Sequence, residues 1–142
     1  MKFISYYTKG AYEGVMNNFL LPSLKDWNLD YDIKMIKDLG NWHANTHYKA
    51  QFIREMLLKH KQPLVFTDAD STIEQDPVLF SKLEIYSPHI DIGVHFLNWH
   101  FFWHKRKGQE RRDALSGTIY LNYNNNVLRF LDDWIEENNR SG

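Results

Sequence analysis

Two acids flanking one small residue, Asp68 and Asp70 in LVFTDADS (64–71), stand directly after an apolar run. Side chains alternate along an extended chain, so this spacing aims both carboxylates the same way unless a turn intervenes. A convergent pair suits a hard divalent cation, Mg²⁺ or Mn²⁺, which takes oxygen ligands and shares them with phosphates. An isolated Asp-x-Asp also occurs in solvated acidic turns, but a position at the end of a buried strand favours metal or ligand binding. Other candidates are weaker. His43 and His47 are four apart, as are His100 and His104, which places each pair on one helical face, but a zinc site needs further convergent ligands. The basic run Lys105, Arg106, Lys107, Arg111 and Arg112 suits a diphosphate or an anionic acceptor, and equally a solvated loop. Trp99, Phe101, Phe102 and Trp103 suit either a sugar platform or a hairpin core.

The elements that must position these residues alternate in type. Lys2 to Tyr7 is a β-prone run followed by Gly10. Val15, Met16, Phe19 and Leu20 recur at helical spacing within Ala11 to Leu21. Pro22 kinks or restarts that helix, and Leu24 and Trp27 continue its apolar face. Tyr31 to Ile36 reads as a second strand. Asn45 or Thr46 is the expected cap of a second helix with a stripe of Tyr48, Phe52, Met56 and Leu57, ended by Pro63. Leu64 to Thr67 is a third, buried strand. Strand, helix, strand, helix, strand predicts an α/β fold with a mostly parallel sheet flanked by helices. Ligands of such sheets bind at the carboxyl ends of strands, where Tyr7-Thr8-Lys9-Gly10 and Asp68-Ala69-Asp70 fall. Farther on, Ile90 to Phe96 and Leu115 to Asn122 read as strands, and a last helix carries Val127, Leu128, Leu131, Trp134 and Ile135.

Residues 49–80, KAQFIREMLLKHKQPLVFTDADSTIEQDPVLF, resemble the core of the nucleotide-diphospho-sugar transferases with the GT-A, Rossmann-like fold. The likeness continues in IDIGVHF (90–96) and SGTIYLNYNN (116–125) and covers most of the chain. It implies one glycosyltransferase domain over residues 1–142, moving a sugar from a UDP- or GDP-sugar to an unidentified acceptor with Mn²⁺ or Mg²⁺ as cofactor. Asp70 would ligate the metal, and Asp68 would touch the ribose or the metal through water. Tyr6, Tyr7 and Thr8 would line the base, with Ala69 beside the nucleotide. Lys49 would face Asp68 and the donor, and Ser116, Gly117 and Thr118 would lie near the sugar or acceptor. Metal and Lys49 together would stabilise charge developing on the leaving diphosphate. Fuller members supply a further ligand, commonly His, from a C-terminal segment. No such segment follows the last helix here, which leaves that position to phosphate, water, another His or a partner chain. If the reaction inverts, Asp91, Glu74, Asp76 and Glu110 are possible bases, and Asp91 is preferred because it opens a strand.

Two other readings compete. VFTDADSTI also fits the Asp-x-Asp-x-Thr pattern of haloacid-dehalogenase-type phosphatases, with Asp68 as nucleophile and Asp70 as acid/base, but that motif normally follows a first strand. A non-catalytic nucleotide-sugar-binding domain is the third reading. A net charge of −1 gives no field for nucleic acid, and no apolar stretch reaches the roughly 18–20 residues of a membrane span. The chain has no cysteine, which excludes disulfides and thiolate metal sites. A cytoplasmic location is expected, and a homo-oligomer is left open.

Overall fold

The computed structural model describes residues 1–98 and 112–141. A five-stranded sheet in the order β2-β1-β3-β5-β4 forms its centre. The strands are β1 (Lys2–Thr8), β2 (Tyr31–Ile36), β3 (Leu64–Thr67), β4 (Ile92–Asn98) and β5 (Arg112–Leu121). β1 pairs in parallel with both β2 and β3, as the alternation requires. β5 runs antiparallel to β3 and to β4, so four strands point one way and one is reversed.

Strand alternation sorts the core into two layers. Ile4, Leu64, Phe66, Ile119 and Leu121 face one side. There they meet Phe52, Ile53, Met56 and Leu57 of helix α3 (Trp42–His60) and Val127 and Leu131 of helix α5 (Asn125–Ser141). Phe3, Val65 and Tyr120 face the other side, against Met16, Leu20 and Leu24. Phe80 and Leu83 of helix α4 (Val78–Tyr86) close that layer. The sequence signal for α4 is faint because none of its residues is fully buried.

The first crossover is α1 (Ala11–Val15), a π turn (Met16–Leu20) and α2 (Leu21–Asp26). Pro22 sits in the first turn of α2. Its ring lacks an N–H and crowds the carbonyl four residues back, and the wider π turn is where the chain absorbs this. Helix α3 starts earlier than expected: its cap is Asn41, whose side chain accepts from the Ala44 N–H at 2.8 Å. Asn45 and Thr46 lie inside the first turns instead. Asn45 Oδ1 accepts from the Leu39 N–H, and the Thr46 hydroxyl donates to the Trp42 carbonyl. The opening turn buries no apolar residue, so hydrophobic periodicity begins too late to mark it. The other end closes at Lys61, in the left-handed region with φ 51°.

Asp32 ties β2 to the end of α3, with one carboxylate oxygen 2.8 Å from both Lys59 Nζ and His60 Nε2. Burial alone would push this carboxyl up, but the hydrogen bonds and charges of Lys59 and His60 hold it below its ordinary value. A depressed folded-state value contributes stability that is present above the unfolded value and is lost as pH falls through the folded one. Asp32→Asn is therefore expected to cost about 1 kcal/mol at neutral pH, a small figure because Lys59 is largely solvated. In urea denaturation the gap from wild type should close progressively below about pH 4.

Candidate functional site

β1 and β3 are neighbours, and the two crossovers that join them by way of β2 pack on opposite faces of the sheet, the first in the layer of Met16 and Leu20 and the second in the layer of Phe52 and Met56. The crevice at their carboxyl ends is thus the topological switch point of the sheet. The register pairs Ile4 with Phe66, which brings Tyr6 level with Asp68. The chain leaves β3 through a turn: the Asp68 carbonyl accepts from the Ser71 N–H at 3.0 Å. Alternation therefore stops at Thr67. Within the turn Ala69 is buried in the core, Asp68 is half-buried and Asp70 is exposed. Asp70 makes no hydrogen bond or ion pair with the described residues.

Lys49 organises the crevice. It lies midway along α3, is only 6% exposed, and rests 4.9 Å above the Phe66 ring. Its ammonium reaches Asp68 Oδ1 at 2.9 Å, the Ser116 carbonyl at 3.0 Å and the Ser116 hydroxyl at 3.2 Å. Three acceptors match the three protons of an ammonium, so this buried cation is fully satisfied. The carbonyl is available because β5 bulges here. Val94 pairs with Ile119 while His95 pairs with Leu115, which leaves Ser116, Gly117 and Thr118 as extra residues opposite β4. Bulges re-aim side chains and free backbone groups. The same segment fastens the acidic turn, since the Gly117 carbonyl accepts from the Asp68 N–H at 2.9 Å. A Cβ on Gly117 would lie 3.3 Å from Asp68 Oδ2, so the missing side chain leaves room for that oxygen.

Tyr6 stands beside this group but is largely enclosed. Its ring packs against Tyr48, Phe52 and Phe66, and its hydroxyl donates to the Asn45 carbonyl at 2.7 Å. Burial first, then the neighbouring Asp68 charge, pushes this phenol up, so it stays protonated at physiological pH. Tyr7 faces the opposite core layer from Tyr6, so Tyr6, Tyr7 and Thr8 do not form one wall.

Asp91 is not brought to the site. Ile92 is level with Leu121, and Leu121 with Leu64 at the start of β3. Asp91 thus lies at the amino end of the sheet, about 13 Å of strand from the Asp68 edge. There it accepts from Asn124 Nδ2 at 2.7 Å, and Asn124 in turn accepts from the Val127 N–H in the first turn of α5. A structural task accounts for it, and a base at the Asp68 edge does not. Glu74 and Asp76 are exposed beyond the acidic turn. Asp68 follows the third strand of the chain, which departs from the first-strand placement of the phosphatase pattern.

The carboxylate oxygens of Asp68 and Asp70 are donors of the chemical type that Mg²⁺ or Mn²⁺ takes, although the turn ends the strand alternation that would aim both the same way. Among the described residues, no three His or acidic side chains gather as a complete protein-only metal site. The His43 and His47 rings meet at a tilt of 52° with centroids 3.9 Å apart, without a third ligand among those residues. His100, His104, Glu110, the aromatic run 99–103 and the basic run 105–111 lie outside the described residues, as does the side chain of Arg112. Among the described residues no helix is long and apolar enough to cross a membrane.

No protein-family profile matches the chain, and no curated protein does. Solved structures do. A197 from STIV aligns with 93% of this chain and 68% of its own, at 18% identity and a TM-score of 0.45. A glycosyltransferase involved in the glycosylation of the major capsid of PBCV-1 aligns with 97% of this chain at 11% identity and a TM-score of 0.65. This chain spans 66% of the length of that protein. At such identity the likeness is one of fold: the chain is an α/β domain, a five-stranded sheet flanked by helices, similar in fold to a glycosyltransferase.

Proposed function

We propose that the chain is a metal-dependent glycosyltransferase that binds a UDP- or GDP-sugar at the Asp68-Ala69-Asp70 turn. The observation that carries this reading is the ion pair of buried Lys49 with half-buried Asp68 at the carboxyl end of β3, in a fold similar to a glycosyltransferase. A site for an anionic donor needs its first carboxylate held in one place, and Lys49 supplies that hold. Lys49 and the Gly117 carbonyl fix Asp68 by side chain and by backbone, and Asp68 Oδ2 stays clear of Gly117. Asp70, exposed and unpaired among the described residues, is the group free to take a cation.

A divalent ion held by Asp70 and Asp68 would supply positive charge to the leaving diphosphate. The residues themselves position: preorganised charge and orientation are the main sources of rate in such a transfer. The bond between the sugar C1 and the diphosphate oxygen breaks with its electron pair on the phosphate. The acceptor hydroxyl oxygen forms the new bond to C1, and its proton passes to the departing diphosphate or to water. The test is incubation with a panel of UDP- and GDP-sugars, with Mn²⁺ or with EDTA, while free nucleoside diphosphate is measured. Metal-dependent release from one donor is expected. Release of inorganic phosphate from simple phosphoesters, with no attack on any nucleotide sugar, would favour a phosphatase instead.

A further inference from the structure

A concavity apart from the Asp68 turn opens between the π turn with α2 and the segment that continues the acidic turn. Its volume is about 550 Å³, within the range of small-ligand sites. Asn18 and Phe19 come from the π turn, Asp26 and Trp27 from the end of α2, and Ile73 and Glu74 from the segment after Asp70. π turns inside helices recur at functional sites, and this one displays Phe19 at 56% exposure while Met16 and Leu20 stay buried.

The walls are fixed. Trp27 Nε1 donates to the Ile73 carbonyl at 3.0 Å, the Ile73 N–H donates to Ser23 Oγ at 3.0 Å, and Ser23 donates to the Leu20 carbonyl at 2.7 Å. These bonds hold the indole in place while leaving it 40% exposed.

The chemistry of the lining selects the ligand. Two carboxylates, Asp26 and Glu74, line the groove, and among the described residues no Lys, Arg or His does, so these walls disfavour a phosphate or nucleotide. Phe19 and Trp27 offer flat apolar faces, and Asn18, Asp26 and Glu74 offer acceptors around them. A molecule with an apolar C–H face and a rim of hydroxyl donors fits both. An extended peptide fits less well, because both backbone groups of Ile73 are already used and give no rung for strand addition.

We propose that the groove between the π turn and residues 72–74 binds a neutral saccharide, separately from the donor crevice. This inference goes beyond the donor reading and stands without it. Because Ile73 and Asp70 share one short segment, an occupant of the groove also braces the loop that carries Asp70.

The test is saturation-transfer difference NMR with methyl glucoside, methyl galactoside, methyl mannoside, maltose, lactose and cellobiose. At least one is expected to receive saturation. Its affinity should fall tenfold or more in Phe19→Ala and in Glu74→Gln. Phe19 and Glu74 are exposed, so both variants should melt close to wild type. A UDP and GDP titration with Mn²⁺ forms the separate arm: loss of nucleotide binding with retained saccharide binding overturns the donor reading alone. No transfer to any of the six saccharides, or transfer indifferent to Phe19→Ala, overturns the groove proposal. So does binding of a tetra-arginine peptide in place of every saccharide.

Discussion

Asp70→Asn is expected to weaken metal-dependent binding of UDP or GDP about a hundredfold, equivalent to ~2.7 kcal/mol. The amide keeps the shape of the carboxylate but removes the negative charge that a hard cation requires. Folded-state cost should be small, within about 0.5 kcal/mol, because Asp70 is exposed and makes no hydrogen bond or ion pair with the described residues. Calorimetric titration with Mn²⁺ beside a melting curve separates the two effects. Unchanged nucleotide affinity in a variant that melts like wild type would remove Asp70 from the site.

Lys49→Ala should reach both stability and binding. Breaking a buried ion pair by deleting one partner typically costs 3–5 kcal/mol. Asp68 is 39% exposed, so water compensates it in part and a cost of about 2 kcal/mol is expected. The Ser116 carbonyl loses a donor at the same time, and the β5 bulge loses its link to α3. With Asp68 no longer anchored, nucleotide affinity should fall about tenfold, ~1.4 kcal/mol. Lys49→Arg should restore stability only in part, because a planar fork does not reproduce three acceptors gathered around a point charge. Urea denaturation and calorimetry check both numbers, and a variant silent in both would mean that the Lys49–Asp68 pair serves neither the fold nor the site.

Much of this arrangement was legible from residue order. β2 and β3 fall where the β-prone runs place them, and the parallel pairing of β1, β2 and β3 follows from the helices between them. The Lys49–Asp68 contact was expected from the resemblance and is present at 2.9 Å. Features that depend on long-range pairing were not legible. The bulge at Ser116 exists only because β5 meets β3 and β4 in different registers, and no local pattern encodes that. Asp91 immediately precedes β4, but the sequence does not say at which end of the sheet that strand begins. Tyr6 and Tyr7 look equivalent in sequence, yet alternation sends them to opposite core layers. The turn after Thr67 likewise ends the alternation that would have aligned Asp68 with Asp70. The groove by the π turn was invisible because Pro22 announces a kink but not its form.

On the proposed reading, the Asp68 turn takes a nucleoside diphosphate through a divalent cation. Calorimetric titration of the unmodified chain with UDP and with GDP, each in Mn²⁺ and in EDTA, tests it most directly. Saturable binding of one nucleotide in Mn²⁺, lost in EDTA, is the predicted result. No binding of either nucleotide in Mn²⁺, or binding of equal strength in EDTA, would contradict the account.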